Sequence, residues 1–348
     1  MKKPVQRRWN LDANGIRRIG SKEAGFEYVD SAGKLITGAK IVTRVQKLRI
    51  PPAWVDVRIA PTDRAPLQVL GVDRKGRTQY LYNVRFRQQK EEEKFQRVVE
   101  FGESLPGLRR RVRADLVRGD LGRQQVLAAI VRLIDQGFFR VGNDKSAAEE
   151  ETYGLTTVRG DHVRLRGSEL HFNFVGKWRK TQERVIDEPH VAAIVRKLKK
   201  IEGEELFKFL QDGRVHDVKD RHVNEYIQSI IGEKFTAKDF RTWAGSLLCS
   251  ISLGRLGQAP TKTERKRRVK KAVDATAKRL GNTGPVCRAS YICPRLLDEF
   301  LEGKPFEPAR KIRVTRPVAR QGLSPEEKAL LKFLRETIAD RRRSPRAA

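Results

Sequence analysis

Two spacings of apolar residues alternate along the chain. From Ile16 to Asn83 they recur mostly at every second position, the period of strands: Gly25-Phe26-Glu27-Tyr28-Val29, a turn at Ser31-Ala32-Gly33, then Val55-Asp56-Val57-Arg58-Ile59-Ala60. Gln68 to Asp73 and Arg77 to Tyr82 predict a hairpin closed by Arg74-Lys75-Gly76. A short helix, Ala39 to Leu48, interrupts this set and stops before Pro51-Pro52.

From Val84 the period lengthens. Phe86, Phe95, Val98, Val99 and Leu105 are spaced for a helix whose other face carries the charges of Lys90 to Lys94. Helices are expected next at Leu108 to Leu116 and at Gln124 to Phe139, the second strongly apolar through Val126, Leu127, Ile130, Val131, Leu133 and Ile134. The period drops to two again between Leu155 and Asp187. It predicts three strands, Thr156 to Val158 with Val163 to Leu165, Leu170 to Val175, and Arg179 to Ile186, joined by turns at Arg159-Gly160-Asp161, Arg166-Gly167 and Gly176-Lys177. Beyond Pro189, helices are predicted near Val191 to Ile201, Asp220 to Ile231, Lys238 to Ser252, Lys270 to Leu280 and Cys293 to Leu301.

The fold class is therefore α+β. Residues 1–85 form a small β-rich domain, an antiparallel sheet with one or two helices. Residues 86–348 form a larger, mainly helical domain with a small three-stranded sheet. Thr261 to Lys271, with seven Lys or Arg in eleven residues, is expected to be a mobile basic linker, and the tail Arg341-Arg342-Arg343-Ser344-Pro345-Arg346 to resemble it.

Charge decides the class of partner. Among 348 residues, 74 Lys plus Arg stand against 43 Asp plus Glu, a net charge of +31, which calls for a polyanion. Hydrophobic residues make up 39% of the chain, enough for packed cores, so global disorder is excluded. No run of 18 apolar residues occurs, and Met1-Lys2-Lys3-Pro4-Val5-Gln6-Arg7-Arg8-Trp9 lacks the apolar segment of a signal peptide, so a soluble cytoplasmic protein is expected. Neither a basic amphipathic helix nor a lipidation signal is evident, which favours nucleic acid over a membrane surface. Cys249, Cys287 and Cys293 are odd in number and lack Cys-x-x-Cys or paired-His context; they read as core thiols, not a disulfide framework or zinc site.

Several chemistries lack their motifs. No Gly-x-x-x-x-Gly-Lys-Ser/Thr segment supports a P-loop, and no Asp-x-Asp pair supports a two-metal site. His162, His171, His190, His216 and His222 are scattered without ligand spacing. Phosphoryl chemistry here would have to proceed without ATP, cofactor or metal. It would then need a side-chain nucleophile, cations for the phosphorane and a proton donor for the departing oxygen.

Four residues are candidates. Arg140 directly follows the apolar helix ending Gly137-Phe138-Phe139, where a rigid mount lets a guanidinium fork onto two phosphate oxygens. Lys177 lies at the hairpin tip of Phe172-Asn173-Phe174-Val175-Gly176-Lys177, able to present an ammonium to a groove. Arg241, in Thr236-Ala237-Lys238-Asp239-Phe240-Arg241-Thr242-Trp243, projects from an early turn of a helix that Thr236 and Asp239 cap as a box. Tyr291 follows the turn Gly281-Asn282-Thr283-Gly284-Pro285, and a phenol with a pKa of roughly 10 needs neighbouring cations to act as a nucleophile. Taken singly, each also fits a plain structural role: a helix-end arginine, a solvated turn lysine, a salt-bridged arginine and a core tyrosine.

Together, in this order, they resemble the type IB DNA topoisomerases of the poxvirus and bacterial kind, relatives of the tyrosine recombinases. The resemblance is carried by Arg140, Lys177 on a hairpin, Arg241 in Lys-Asp-Phe-Arg-Thr-Trp, and Gly281-Asn282 nine residues before Tyr291. It extends to Lys47-Leu48-Arg49-Ile50-Pro51-Pro52-Ala53-Trp54 and Gly76-Arg77-Thr78-Gln79-Tyr80-Leu81-Tyr82, and spans Ile16 to Leu301. It implies that Tyr291 forms a 3′-phosphotyrosyl bond, that Arg140 and Arg241 hold the scissile phosphate, and that Lys177 protonates the 5′-oxygen. The cut strand would rotate and be resealed, with duplex DNA as partner, the enzyme a monomer on the nucleoid. The family usually has His where this chain has Asn282; an amide still donates a hydrogen bond but carries no charge.

Tyr80 and Tyr82 share one strand face, with Lys75, Arg77 and Gln79 beside them, a pattern suited to DNA contact. The resemblance implies that this small domain clamps the duplex with the large one; packing of the tyrosines on their own domain is the alternative. Two rival functions stand. A site-specific tyrosine recombinase shares the catalytic set, but usually carries His where this chain has Lys238 and opens with a helical domain. An architectural DNA-binding protein would do no chemistry at all.

Overall fold

Alternation in the N-terminal segment closes into a five-stranded antiparallel sheet. The computed structural model describes residues 11–304 and 321–343, and the chain divides into two compact units, 1–95 and 96–348. In the first, a single turn of helix α1 (Leu11–Asn14) precedes β1 (Ile16–Ser21), β2 (Gly25–Val29), α2 (Ala39–Lys47), β3 (Val55–Ile59), β4 (Leu67–Val72) and β5 (Thr78–Tyr82). The strand order is β2-β1-β3-β4-β5. Ile16, Val57, Ile59 and Val69 meet Val45 of α2 in the core, with Trp54, Leu48 and Leu81 packed against them. Asp73 closes the β4–β5 turn: its carboxylate accepts the backbone N–H groups of Lys75 and Arg77 at 2.9 and 3.0 Å.

Helix α3 (Val84–Leu116) starts in this unit and runs on into the second. Two helices were expected over its length, divided near Pro106. One continuous helix forms because proline removes a single backbone donor, while Phe101, Leu105, Leu108 and Val112 bury a stripe on both sides of it.

The second unit is built around α4 (Arg123–Gly137), whose Val126 to Ile134 stretch is buried all round. There follow α5 (Asp144–Glu150), a three-stranded antiparallel sheet of β6 (Val163–Arg166), β7 (Glu169–Gly176) and β8 (Lys180–Asp187), then α6 (Pro189–Leu198). The strand expected at Thr156 to Val158 is a 3₁₀ turn over Leu155–Thr157 instead. Its backbone is taken up by the residues after α4: Leu155 N–H bonds to the Arg140 carbonyl at 3.0 Å and Thr156 N–H to that of Val141 at 2.6 Å. A hairpin of β9 (Lys208–Gln211) and β10 (Arg214–Asp217) was not anticipated, since four-residue strands are too short to show a period.

Helices complete the unit: α7 (Asp220–Ile231), α8 (Ala237–Leu256), α9 (Lys262–Leu280), α10 (Gly284–Ser290), α11 (Pro294–Leu301) and α12 (Pro325–Arg343). The expected mobile linker at Thr261 to Lys271 is in fact the first half of α9. Thr261 caps it by accepting Glu264 N–H at 3.2 Å. Val269, Ala272, Val273, Thr276, Ala277 and Leu280 make one buried stripe that begins inside the basic run, so the cations occupy the other faces. Arg268 reaches back to the carbonyls of Leu256, Gly257 and Gln258 at the end of α8. In the basic tail, Arg341 to Arg343 end α12, and Ser344-Pro345-Arg346, like Met1 to Trp9, lie outside the described residues. Among the described residues no helix is long and apolar enough to cross a membrane.

Candidate active site

The site begins where α4 stops. Phe138 caps that helix in the left-handed region at φ 58°, which swings the chain outward and places Arg140 three residues past the helix end. Arg140 is half-buried. Its Nη2 donates to Oδ1 of Asn282 at 2.5 Å and to the Gly281 carbonyl at 3.3 Å.

Asn282 owes its place to the end of α9. Gly281 is the left-handed cap, φ 65°, and Asn282 N–H closes onto the Ala277 carbonyl at 2.9 Å. A side chain at 281 would press on Gln182, 3.0 Å from where a Cβ would stand. From the same strand, Lys180 Nζ donates to the Asn282 carbonyl at 3.3 Å. Thus β8 supports the Gly281-Asn282 turn from below. Asn282 is only 7% exposed, and its Nδ2 has no partner among the described residues, a buried amide donor left open.

Arg241 rises from the second turn of α8 and is 4% exposed. It donates from Nη1 to the Phe138 carbonyl and from Nη2 to the Leu280 carbonyl at 2.9 Å, so one guanidinium joins the ends of α4 and α9. Its Nε is buried without a hydrogen-bond partner among the described residues, and its Cζ lies 5.0 Å from the centre of the Tyr291 ring. Tyr291 itself follows α10 and is partly exposed. Its backbone rests on α8, where a Cβ on Gly245 would fall 2.4 Å from the Tyr291 carbonyl and the Ser246 hydroxyl donates to the same carbonyl at 3.5 Å.

The electrostatics follow from this packing. Burial, reinforced by the neighbouring Arg241 charge and opposed by Tyr291, lowers Arg140 to about 10. Burial also lowers Arg241, with the phenol of Tyr291 working the other way. Two partly desolvated guanidiniums and an open amide donor beside one phenol form a site short of negative charge.

Of the four candidates, Arg140, Arg241 and Tyr291 thus meet in one place, together with Asn282, to which the resemblance also points. Lys177 sits in the 3₁₀ turn Lys177–Arg179 between β7 and β8, exposed, its Nζ 5.4 Å from the Trp178 ring centre. Among the described residues it makes no hydrogen bond to the other four. Lys180, Gln182, Gly245 and Ser246 were not singled out in the sequence. Only the period-two placement of Lys180 and Gln182 on one strand hinted at a shared target.

The second candidate surface belongs to the N-terminal unit. Tyr80 and Tyr82 are 43% and 40% exposed and stack on each other with ring centres 6.2 Å apart, Tyr82 also meeting Phe86 at 5.7 Å. Arg77 and Gln79 both donate to the Asp73 carboxylate, at 2.7 and 2.9 Å. Asp73 is held well below the usual carboxylate range by its hydrogen bonds with Arg77. Lys75 stands exposed at the turn.

Comparison with known proteins agrees over both units. Residues 25–73 match the family described as bacterial DNA topoisomerase IB, N-terminal domain, and residues 83–292 match eukaryotic DNA topoisomerase I, catalytic core. DNA topoisomerase 1B of Acanthamoeba polyphaga mimivirus is 32% identical over 291 residues, covering 81% of this chain and 85% of the viral one. DNA topoisomerase I of Monkeypox virus is 24% identical over 272 residues, 75% and 82% of the two chains. DNA topoisomerase 1B of Vaccinia virus is 27% identical over 149 residues, 41% and 46%. With both units matched and most of the chain aligned to the mimivirus enzyme, the protein belongs to the type IB DNA topoisomerases, a family of isomerases.

Proposed function

We propose that the chain relaxes supercoiled duplex DNA by cutting one strand, letting it rotate and resealing it. The observation that carries this reading is the approach of the Arg241 guanidinium to Tyr291, with Arg140 anchored on Asn282 beside them. The Tyr291 oxygen gives up its phenolic proton to solvent and attacks the scissile phosphorus, and the bond to the 5′-oxygen breaks as the phosphotyrosyl bond forms. Arg140 and Arg241 offset the charge on the nonbridging oxygens. The open Nδ2 of Asn282 donates a further hydrogen bond there. Lys177, on its rigid hairpin, gives a proton to the departing 5′-oxygen. Resealing is the same path in reverse, and since the phosphodiester energy is kept in the tyrosyl ester, ATP has no part in it.

In this reading the exposed pair Tyr80 and Tyr82, with Lys75, Arg77 and Gln79, meets the duplex from the N-terminal unit, and the large net charge supplies attraction through counterion release. The enzyme acts as a monomer, in the cytoplasm on the nucleoid, and takes no cofactor. The match of its N-terminal unit to the bacterial topoisomerase IB domain favours relaxation over site-specific recombination.

The test is incubation with supercoiled plasmid in EDTA without ATP, with covalent complexes trapped by detergent. Relaxation and an adduct that both vanish in Tyr291→Phe, with DNA binding kept, are expected. Relaxation that survives Tyr291→Phe would overturn the assignment, and so would failure of the parent to form any adduct.

A further inference from the structure

The turn that carries Lys177 holds a residue the chemistry above does not use. Trp178 is 66% exposed, more than any other exposed large apolar side chain among the described residues. Its backbone lies in the left-handed region, φ 65° and ψ 27°, and Arg179 follows at φ 52°. Bulky residues enter that region at a conformational cost that glycine would avoid. An indole turned to water, on strained backbone, is a feature that no packing within this unit accounts for.

The mount is stiff and reaches the active site. β7 and β8 pair through eight residues, the last pair being Gly176 with Lys180 at the base of the turn. Gly176 lies against Gln182, the side chain that also fills the space at Gly281, and Lys180 holds the Asn282 carbonyl. The strand that leaves the turn is therefore the one that supports the Asn282 segment, and Trp178 is fixed relative to Arg140 through it. The Lys177 ammonium lies 5.4 Å from the Trp178 ring centre, within cation–π range. Lys177 and Arg179 flank Trp178 in the turn and give it positive charge on both sides in the chain. An exposed aromatic framed by cations matches a nucleotide: the ring covers the apolar sugar or base face while the cations meet phosphates.

We propose that Trp178 packs against the nucleotide bearing the departing 5′-oxygen and thereby sets the Lys177 ammonium at that oxygen. This rests on the reading of Lys177 as the proton donor. Trp178 is a positioning residue: it acts through Lys177, and contributes to the rate of cleavage more than to affinity for the duplex.

The test is single-turnover cleavage of a duplex from which the short leaving strand diffuses away, together with measured affinity. Trp178→Ala is expected to cleave about tenfold slower or worse with Kd within about threefold of the parent, and Trp178→Phe to recover most of the rate. In a Lys177→Ala background, adding Trp178→Ala should cost less than about threefold, because the two act as one unit. A second measurement is independent of the chemistry. In Tyr291→Phe protein, the change in indole emission on titration with duplex should be larger than in Tyr291→Phe/Trp178→Phe. Parent-like cleavage by Trp178→Ala overturns the proposal, as do additive losses in the Lys177→Ala background or an emission change that does not depend on Trp178. A parent protein that forms no adduct, yet shows the Trp178-dependent emission change, would locate the failure in the Tyr291 reading and leave the contact standing.

Discussion

Arg140 donates to Asn282 Oδ1 across 2.5 Å, and this bond ties the segment after α4 to the turn between α9 and α10. With its oxygen so occupied, the amide keeps its nitrogen as the spare donor, and Nδ2 is buried and has no partner among the described residues. An amide at this position orients a guanidinium, and in the proposed reaction its nitrogen would donate to the phosphate. The imidazole usual in the family can also carry charge, so in the proposed reaction this site would rely more heavily on its two arginines.

Asn282→Ala should consequently slow cleavage by about a hundredfold, the usual effect of losing one oriented donor at a charged transition state. Asn282→Asp should be worse than Ala, since a carboxylate beside the phosphate repels it. Asn282→His should cleave faster than the parent. Single-turnover cleavage with affinity measured in parallel checks the order; an Asn282→Ala protein that cleaves at the parent rate would remove Asn282 from the site.

Arg241 has less latitude than Arg140. Its Nη groups are fixed by the Phe138 and Leu280 carbonyls, and a lysine has one nitrogen where these contacts need a fork. Arg241→Lys is expected to lose at least a hundredfold in cleavage while the affinity for duplex changes by less than about threefold. Equal losses in affinity and rate would mean that Arg241 binds DNA and does not act on the transition state.

The sequence displayed the parts of this site more clearly than their mounts. Arg140, Arg241 and Tyr291 stand at helix ends and early turns that the apolar period marks, and the β7–β8 hairpin shows in strict alternation. The supports were hidden for physical reasons. Carbonyls of Phe138 and Leu280 are backbone groups, which no residue type advertises, and Gln182 beneath Gly281 is a contact between elements about a hundred residues apart. The basic run at 261 to 271 has the composition of a linker within its own eleven residues, whereas the apolar stripe that folds it extends to Leu280.

The hairpin of the N-terminal unit separates two kinds of contact. Arg77 is engaged by Asp73, so its charge is partly compensated, whereas Lys75 is exposed and Tyr80 and Tyr82 present a stacked apolar face. Tyr80→Ala/Tyr82→Ala should weaken duplex binding with no change in the slope of log Kd against log salt. Lys75→Ala should reduce that slope by about one phosphate contact. Identical salt slopes for parent and Lys75→Ala would place Lys75 away from the phosphates.

Buried thiols give a prediction in pH. Burial pushes Cys287 up to about 11 and Cys249 up to about 12, the nearby Arg241 charge working against the shift at Cys287. In the unfolded chain both would ionise near the ordinary thiol value, so the unfolded state loses protons first as pH rises. The stability that these neutral thiols represent is complete below about pH 8 and declines between about pH 9 and 12. At pH 8 iodoacetamide should leave Cys249 and Cys287 unmodified in the folded protein and modify them after denaturation. Rapid native labelling of either would contradict this packing.

Helix α12 meets α3, α4 and α8 at a buried ion cluster. Arg109 of α3 donates to Asp135 of α4 at 2.8 and 2.9 Å and to Glu327 of α12 at 2.8 and 2.9 Å, and Trp243 Nε1 of α8 bonds to the same Glu327 at 3.2 Å. Glu327 also closes the capping box of α12 with Ser324, each backbone N–H bonding to the other's side chain. Burial would weaken the Arg109 cation, but the two carboxylates overcome it and hold its proton more tightly than usual. Removing one partner leaves buried charge unmatched, so Glu327→Ala should destabilise the protein by about 3–5 kcal/mol, read as a fall in Tm. Replacing the ions together, Arg109→Met with Asp135→Leu and Glu327→Leu, should recover much of that loss, because no charge is then stranded. Cleavage should respond as well, since Trp243 lies two residues from Arg241 on the same helix. At a temperature where Glu327→Gln is fully folded, its cleavage rate should fall while duplex affinity holds; an unchanged rate would confine the cluster to stability alone.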